Sequence, residues 1–188
     1  GNADVAVLSF YSTAQAGLYS PASGVIHALF ILPNAFYNYL LPVLVKRDNH
    51  QDQSAKRADS VKVILLFTAL GFLLMLGVAV FAAFMLVPLL GASYQQSRGL
   101  LLILSPIMLF KSLSFGFAAL IVVKSLQAKR LLPQLIVAVL DLVLVVLLIP
   151  SLGAKGVAWA YLLSELLLCL GYWIILIRHR KEAVSEAG

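Results

Sequence analysis

Apolar positions in this chain come in long blocks separated by short polar gaps, not in the alternating or every-third-residue patterns of soluble elements. Full blocks run at about 19–45, 63–90, 99–123, 131–150 and 156–177, with a partial one at about 2–16. A bilayer core needs roughly 20 mostly apolar helical residues to cross it. The pattern therefore predicts an all-α, polytopic membrane helix bundle of six helices, the first of them partial. At 1.5 Å per residue the 63–90 block would reach about 42 Å, so it must tilt or protrude. Thr68 is its only hydroxyl and it holds no charge, which predicts a peripheral helix facing lipid.

Composition strengthens this picture and charge orients it. Of 188 residues, 62% are apolar and only 12% charged, about half of the roughly 25% usual in soluble domains. A soluble domain could not hide that much apolar surface. The net charge of +6 would raise nucleic-acid binding in a soluble protein, but here the cations sit in the gaps between apolar runs and no nucleic-acid partner is expected. The 46–62 gap holds Lys46, Arg47, Lys56, Arg57 and Lys62. The 124–130 gap adds Lys124, Lys129 and Arg130, and the tail adds Arg178, Arg180 and Lys181. Only Arg98 and Lys155 lie in the alternate gaps, giving eleven cations against two. The positive-inside rule then predicts that the eleven, with the C-terminal tail at 179–188, are cytoplasmic. Trp159 and Trp173, near the two ends of the last block, fit interfacial belts. Cys169 is the single cysteine, so no intrachain disulfide is expected, and no metal or cofactor motif is present. No initiator methionine or signal peptide precedes the first block, which predicts the C-terminal portion of a longer protein.

Several residues do not belong in lipid. Lys111, Asp141 and Glu165 each fall close to the middle of a block, where a charge costs at least about 2.5–3.5 kcal/mol. A lysine and two carboxylates at one depth predict a buried ion pair between helices, or a substrate counter-charge or proton-coupling group. In the 19–45 block Ser20, Ser23, His27, Asn34 and Asn38 fall within about 60° of arc on a helix. Such a stripe predicts the lining of a cavity, with interhelical hydrogen bonding as the alternative. Phe30 and Tyr37 flank it, where flat rings could meet an amphipathic substrate. Pro33 and Pro42 interrupt backbone bonding and suit a helix that bends. Asp4, Tyr11 and Gln15 share a face of the first segment, as do Gln134 and Asp141 further on. Ser23 and His27 stand four apart, but nothing beside them supplies an orienting acid or oxyanion hole, so hydrolysis is not expected.

Three stretches carry a resemblance. The first runs from Asn2-Ala3-Asp4 to Gly17-Leu18-Tyr19-Ser20, followed by Leu32-Pro33, Leu41-Pro42 and the basic gap. The second is Gly91-Ala92-Ser93-Tyr94 followed by Leu102-Ile103-Leu104-Ser105-Pro106. The third is Ile149-Pro150-Ser151-Leu152-Gly153-Ala154-Lys155-Gly156-Val157-Ala158, followed by Ser164-Glu165. In order and spacing, over about residues 1–178, they resemble the C-terminal, MATE-like six-helix lobe of the polysaccharide (O-antigen type) flippases. That family belongs to the multidrug/oligosaccharidyl-lipid/polysaccharide exporter superfamily. The resemblance implies a two-lobed transporter of the bacterial inner membrane, working by alternating access. Its implied partners are the bilayer, a missing N-terminal lobe and an undecaprenyl-pyrophosphate-linked glycan carried outward for lipopolysaccharide assembly. It also places Asp4 and the 19–45 stripe beside the central cavity. This lobe offers Lys111 and His27 as intramembrane cations for a pyrophosphate. A multidrug exporter of the same fold would instead use Asp4, Asp141 and Glu165 for organic cations. A membrane enzyme of polysaccharide assembly is the third alternative. It usually needs a sizeable outward loop, whereas 91–98 has no acid, histidine or cysteine.

Overall fold

A computed structural model describes residues 8–48, 53–91 and 94–185, and among them every regular element is helical. We number them α1 (Thr13–Leu29), α2 (Ile31–Asp48), α3 (Gln53–Val80), α4 (Leu86–Leu90), α5 (Gln95–Leu104), α6 (Ile107–Val123), α7 (Gln127–Leu152) and α8 (Ala154–Ser185). A π-helical turn, Phe81–Met85, joins α3 to α4. Five runs are long and apolar enough to cross a membrane: Gln15–Asp48, Ala55–Pro88, Ser97–Val123, Gln127–Leu152 and Ala154–Arg180.

The boundaries differ from the expected ones where local chemistry outweighs hydropathy. The first two blocks were expected to part near Gly17, but the helix runs straight through it. The break comes at Ser12, extended at φ −162°, whose hydroxyl accepts from the Gln15 amide at 3.4 Å. Ser12 and Gln15 have the spacing of a capping box, a stronger start signal than a lone glycine. A second break falls at Phe30, three residues before Pro33, whose ring leaves no N–H to bond backward. Pro42 lies in the interior of α2. In the third run, Ser105 and Pro106 part α5 from α6, and the Ser105 hydroxyl donates to the Leu102 carbonyl at 2.9 Å.

α5 and α6 occupy the middle of the bundle, with α3 and α8 packed against α6 and α1 against α5. Small residues set the approach of these helices. A Cβ added at Gly71 of α3 would lie 2.8 Å from the Cβ of Ser112 and 2.9 Å from the Cα of Leu109. Gly116 of α6 leaves room for the ring of Phe67, which is fully buried. This is the small-residue packing that lets helices meet without help from water exclusion. α7 packs chiefly on α8, and a Cβ at Gly156 would reach within 2.5 Å of the Leu148 carbonyl oxygen. Their hairpin turns at Gly153, whose φ of +56° needs glycine.

The outer face of the 63–90 block is exposed as expected, at Leu65, Phe72, Leu73, Leu76, Val80 and Phe84. Its other face buries Val63, Phe67, Val78, Ala82 and Leu86. α7 is more exposed still, along Leu131, Leu135, Val139, Leu142 and Val146.

One end of the bundle gathers most of the cations. Arg47 and Lys62 both approach Asp59 at 3.8 Å, and Lys56 meets Asp48 at 3.3 Å. A small cleft there is lined by Arg47, Asp48, Lys56 and Asp59 together with Leu120 and Val123 of α6. Arg130 lies over the ring of Tyr172, 5.8 Å from its centroid, at the same end. The opposite end holds the α7–α8 hairpin and the start of α5.

Candidate functional site

The expected ionic pairing is present. Lys111 of α6 donates to Glu165 Oε1 of α8 at 2.6 Å. The Glu165 side chain is only 7% exposed, against 25% for Lys111. Its second oxygen, Oε2, is buried without a hydrogen-bond partner among the described residues, so the lysine supplies the compensation this carboxylate has. Asp141 of α7 lies beside the pair's helix, accepting from the Ser164 hydroxyl at 2.8 Å. The choice between the two carboxylates follows from packing, because α6 lies closely against α8, whereas α7 packs chiefly on α8 and only slightly on α6.

Aromatic rings extend this pair to α1. The Lys111 ammonium sits 5.4 Å from the centroid of Phe30, the residue at the α1–α2 break. Phe30 meets His27 edge to face at 5.4 Å, and His27 stacks on Tyr161 of α8 at 5.9 Å, nearly parallel. His27 Nδ1 lies 2.7 Å from the Ser23 carbonyl. A carbonyl only accepts, so Nδ1 carries the proton. Glu165, Lys111, Phe30, His27 and Tyr161 therefore form a ladder joining α8, α6 and α1. Its position at the break means that any bend at Phe30 also moves the ring beneath the Lys111 ammonium.

The expected polar stripe does not stay in one environment. Ser23 is buried and donates to the Ser20 carbonyl at 3.1 Å, and His27 turns inward with it. Ser20, Asn34 and Asn38 are exposed, and Asn38 donates to the Asn34 side chain at 3.4 Å. Tyr37 is half-buried against Phe115 of α6. Ser23 and His27 lie against neighbouring helices, whereas Ser20 in the same helix and Asn34 and Asn38 beyond Phe30 do not, so the stripe does not share one environment.

Other expected site residues have local duties. Gln15 is exposed, and its Oε1 accepts from the Ala154 amide at 3.0 Å, capping the start of α8. Tyr11 is 55% exposed, and Asp4 lies outside the described residues. Gln134 donates to the Tyr172 hydroxyl at 2.8 Å, tying α7 to α8. Cys169 is a buried free thiol packed with Phe117, Ala118, Ile121 and Tyr172. Tyr161, Ser164 and Tyr172 escaped the sequence reading as site residues. Tyr161 does stand one turn from Glu165, a spacing that a search of the glutamate's own helix face would have found.

Comparison with protein-family models, with curated proteins and with solved structures gave no match. The functional reading therefore rests on this chain's own chemistry.

Proposed function

We propose that this chain is a membrane-embedded lobe of a transporter that moves a lipid-linked oligosaccharide across the bacterial inner membrane by alternating access. The carrying observation is the 15–48 run. It is the least apolar of the five long runs and also the least buried, with 6% of its most apolar stretch enclosed. Exposed amides such as Asn34 and Asn38 are costly against acyl chains, so this face belongs beside water, a polar substrate or a second lobe. Asparagine side chains offer both donors and acceptors, which suits sugar hydroxyls. The break at Phe30 and Pro33 gives the run a place to bend.

The multidrug-exporter reading has less support, since Glu165 is engaged by Lys111 and Asp141 accepts from Ser164. In the proposed orientation the cation-rich end, with the 46–62 and 124–130 turns and the C-terminus, is cytoplasmic. A cysteine at Ser54, in a Cys169→Ala background, should then resist an impermeant thiol reagent applied from the periplasm. Function is tested by glycan export, normalised to membrane-inserted protein, for Asn34→Leu combined with Asn38→Leu. Export should fall at least tenfold, on the order of 1.4 kcal/mol or more of lost stabilisation. Unchanged export would remove this face from the transport path.

A further inference from the structure

The cation-rich end carries a groove that the transport reading does not use. It has a volume of about 390 Å³ and is lined by Val122 at the end of α6 and by Gln127, Ala128, Arg130, Leu131 and Gln134 of α7. Its polar side chains are held in place. Arg130 lies over the Tyr172 ring at 5.8 Å, and Gln134 donates to the hydroxyl of the same tyrosine at 2.8 Å. Tyr172 is itself 3% exposed, so α8 provides a fixed floor for both. Lys124 and Lys129 are exposed at the adjoining turn.

Two features say what fits. The first is charge. Of the residues that line the groove one is a cation, Arg130, and none is acidic. The groove is therefore cationic and asks for an anion, and a guanidinium fork suits a phosphate. The second is the surface leading away from it. Leu131 lines the groove and is 60% exposed, and Leu135 and Val139 continue the same exposed line at successive turns. A soluble anion would have no use for that apolar track, but an acyl chain would.

The rim also carries a strained residue. Ser125 adopts φ +57° in the turn between α6 and α7. Its amide donates to the Val122 carbonyl at 3.0 Å, and the Leu126 amide donates to Ile121 at 2.9 Å. This is the turn that glycine usually makes at a helix end.

We propose that this groove binds an anionic phospholipid of the cytoplasmic leaflet, with its phosphate at Arg130 and Gln134 and an acyl chain along Leu131, Leu135 and Val139. The lipid would fasten the outward-facing α7 to α6, on which it packs only slightly, from outside the bundle. This rests on the membrane reading of the helices, which alkaline extraction of membranes scores separately. A chain that washes off refutes that reading, and a chain that stays but ignores anionic lipid refutes the groove alone.

The test is native mass spectrometry of the full chain in detergent, titrated with phosphatidylglycerol or phosphatidylcholine. Phosphatidylglycerol should be retained in preference to phosphatidylcholine, and excess inorganic phosphate should not displace it. Arg130→Gln should weaken phosphatidylglycerol retention by about fivefold or more, the worth of one cation near a lipid surface. Arg98→Gln, at the opposite end of the bundle, should leave it unchanged. Lys124→Gln, an exposed rim change that spares the Tyr172 contacts, should give a smaller loss of about twofold even if Arg130→Gln fails to fold. Equal retention of the two lipids, competition by inorganic phosphate, or wild-type retention in the folded cation variants would overturn the proposal.

Discussion

α6 and α7 are neighbours in sequence and opposite in environment. The run containing α6 has 56% of its most apolar stretch buried, whereas α7, the more apolar of the two, has 11%. In water that order would be reversed. In a bilayer the solvent is as apolar as leucine, so the helix rich in small and polar residues goes inside. α6 accordingly buries Ser112, Ser114 and Gly116 and directs Lys111 to Glu165. α7 turns Leu135, Val139 and Leu147 outward. The 15–48 run follows neither rule, being both polar and exposed, and that exception motivates the functional reading.

The comparison is broken most severely by truncating each side of it. Phe67→Ala empties a fully buried site against Gly116 and should cost about 3–5 kcal/mol. Leu147→Ala, at a position 66% exposed, should stay within about 0.5 kcal/mol. Unfolding of both variants in mixed micelles by a denaturing detergent compares them directly. Similar losses would mean that α7 is covered by protein.

Removing one partner of the ionic pair comes next. Lys111→Met strands a carboxylate whose Oε2 already lacks a partner among the described residues, and should cost about 3 kcal/mol, the low end of the buried-pair range because Lys111 keeps some exposure. Lys111→Met combined with Glu165→Leu should recover most of that stability in the same titration. Glycan export in the double variant separates the roles: recovered export makes the pair structural, and lost export with restored stability puts Lys111 in transport.

Gly156→Ala brings a methyl against the Leu148 carbonyl and should push α7 off α8, at about 1–3 kcal/mol. Cysteine crosslinking between the two helices should slow in that variant. An unchanged rate would place the hairpin's strength elsewhere.

Much of this fold was legible because hydropathy and charge placement are strong signals over twenty residues. The five long runs, the shared depth of Lys111, Asp141 and Glu165, and the exposed outer face of the 63–90 block all followed from them. The misses arose where one or two residues govern. The capping pair Ser12 and Gln15 was present in the sequence but masked by an apolar neighbourhood. The π turn at Phe81–Met85 lies in a uniformly apolar stretch that offers no contrast to read. The division of the polar stripe depended on which stretches of the run meet neighbouring helices, and an arc drawn on one isolated helix does not contain that. Glu165 could not be chosen over Asp141 without knowing which helix lies against α6.

The central claim is that the exposed amide face of α2 meets water while the exposed apolar face of α7 meets lipid. Single cysteines at Asn34, Asn38, Val139 and Leu147, in a Cys169→Ala background, test it through their reaction with a membrane-impermeant thiol reagent in intact membranes. The account predicts that the two α2 positions label at least tenfold faster than the two α7 positions. Equally slow labelling at all four would contradict it and return Asn34 and Asn38 to helix packing.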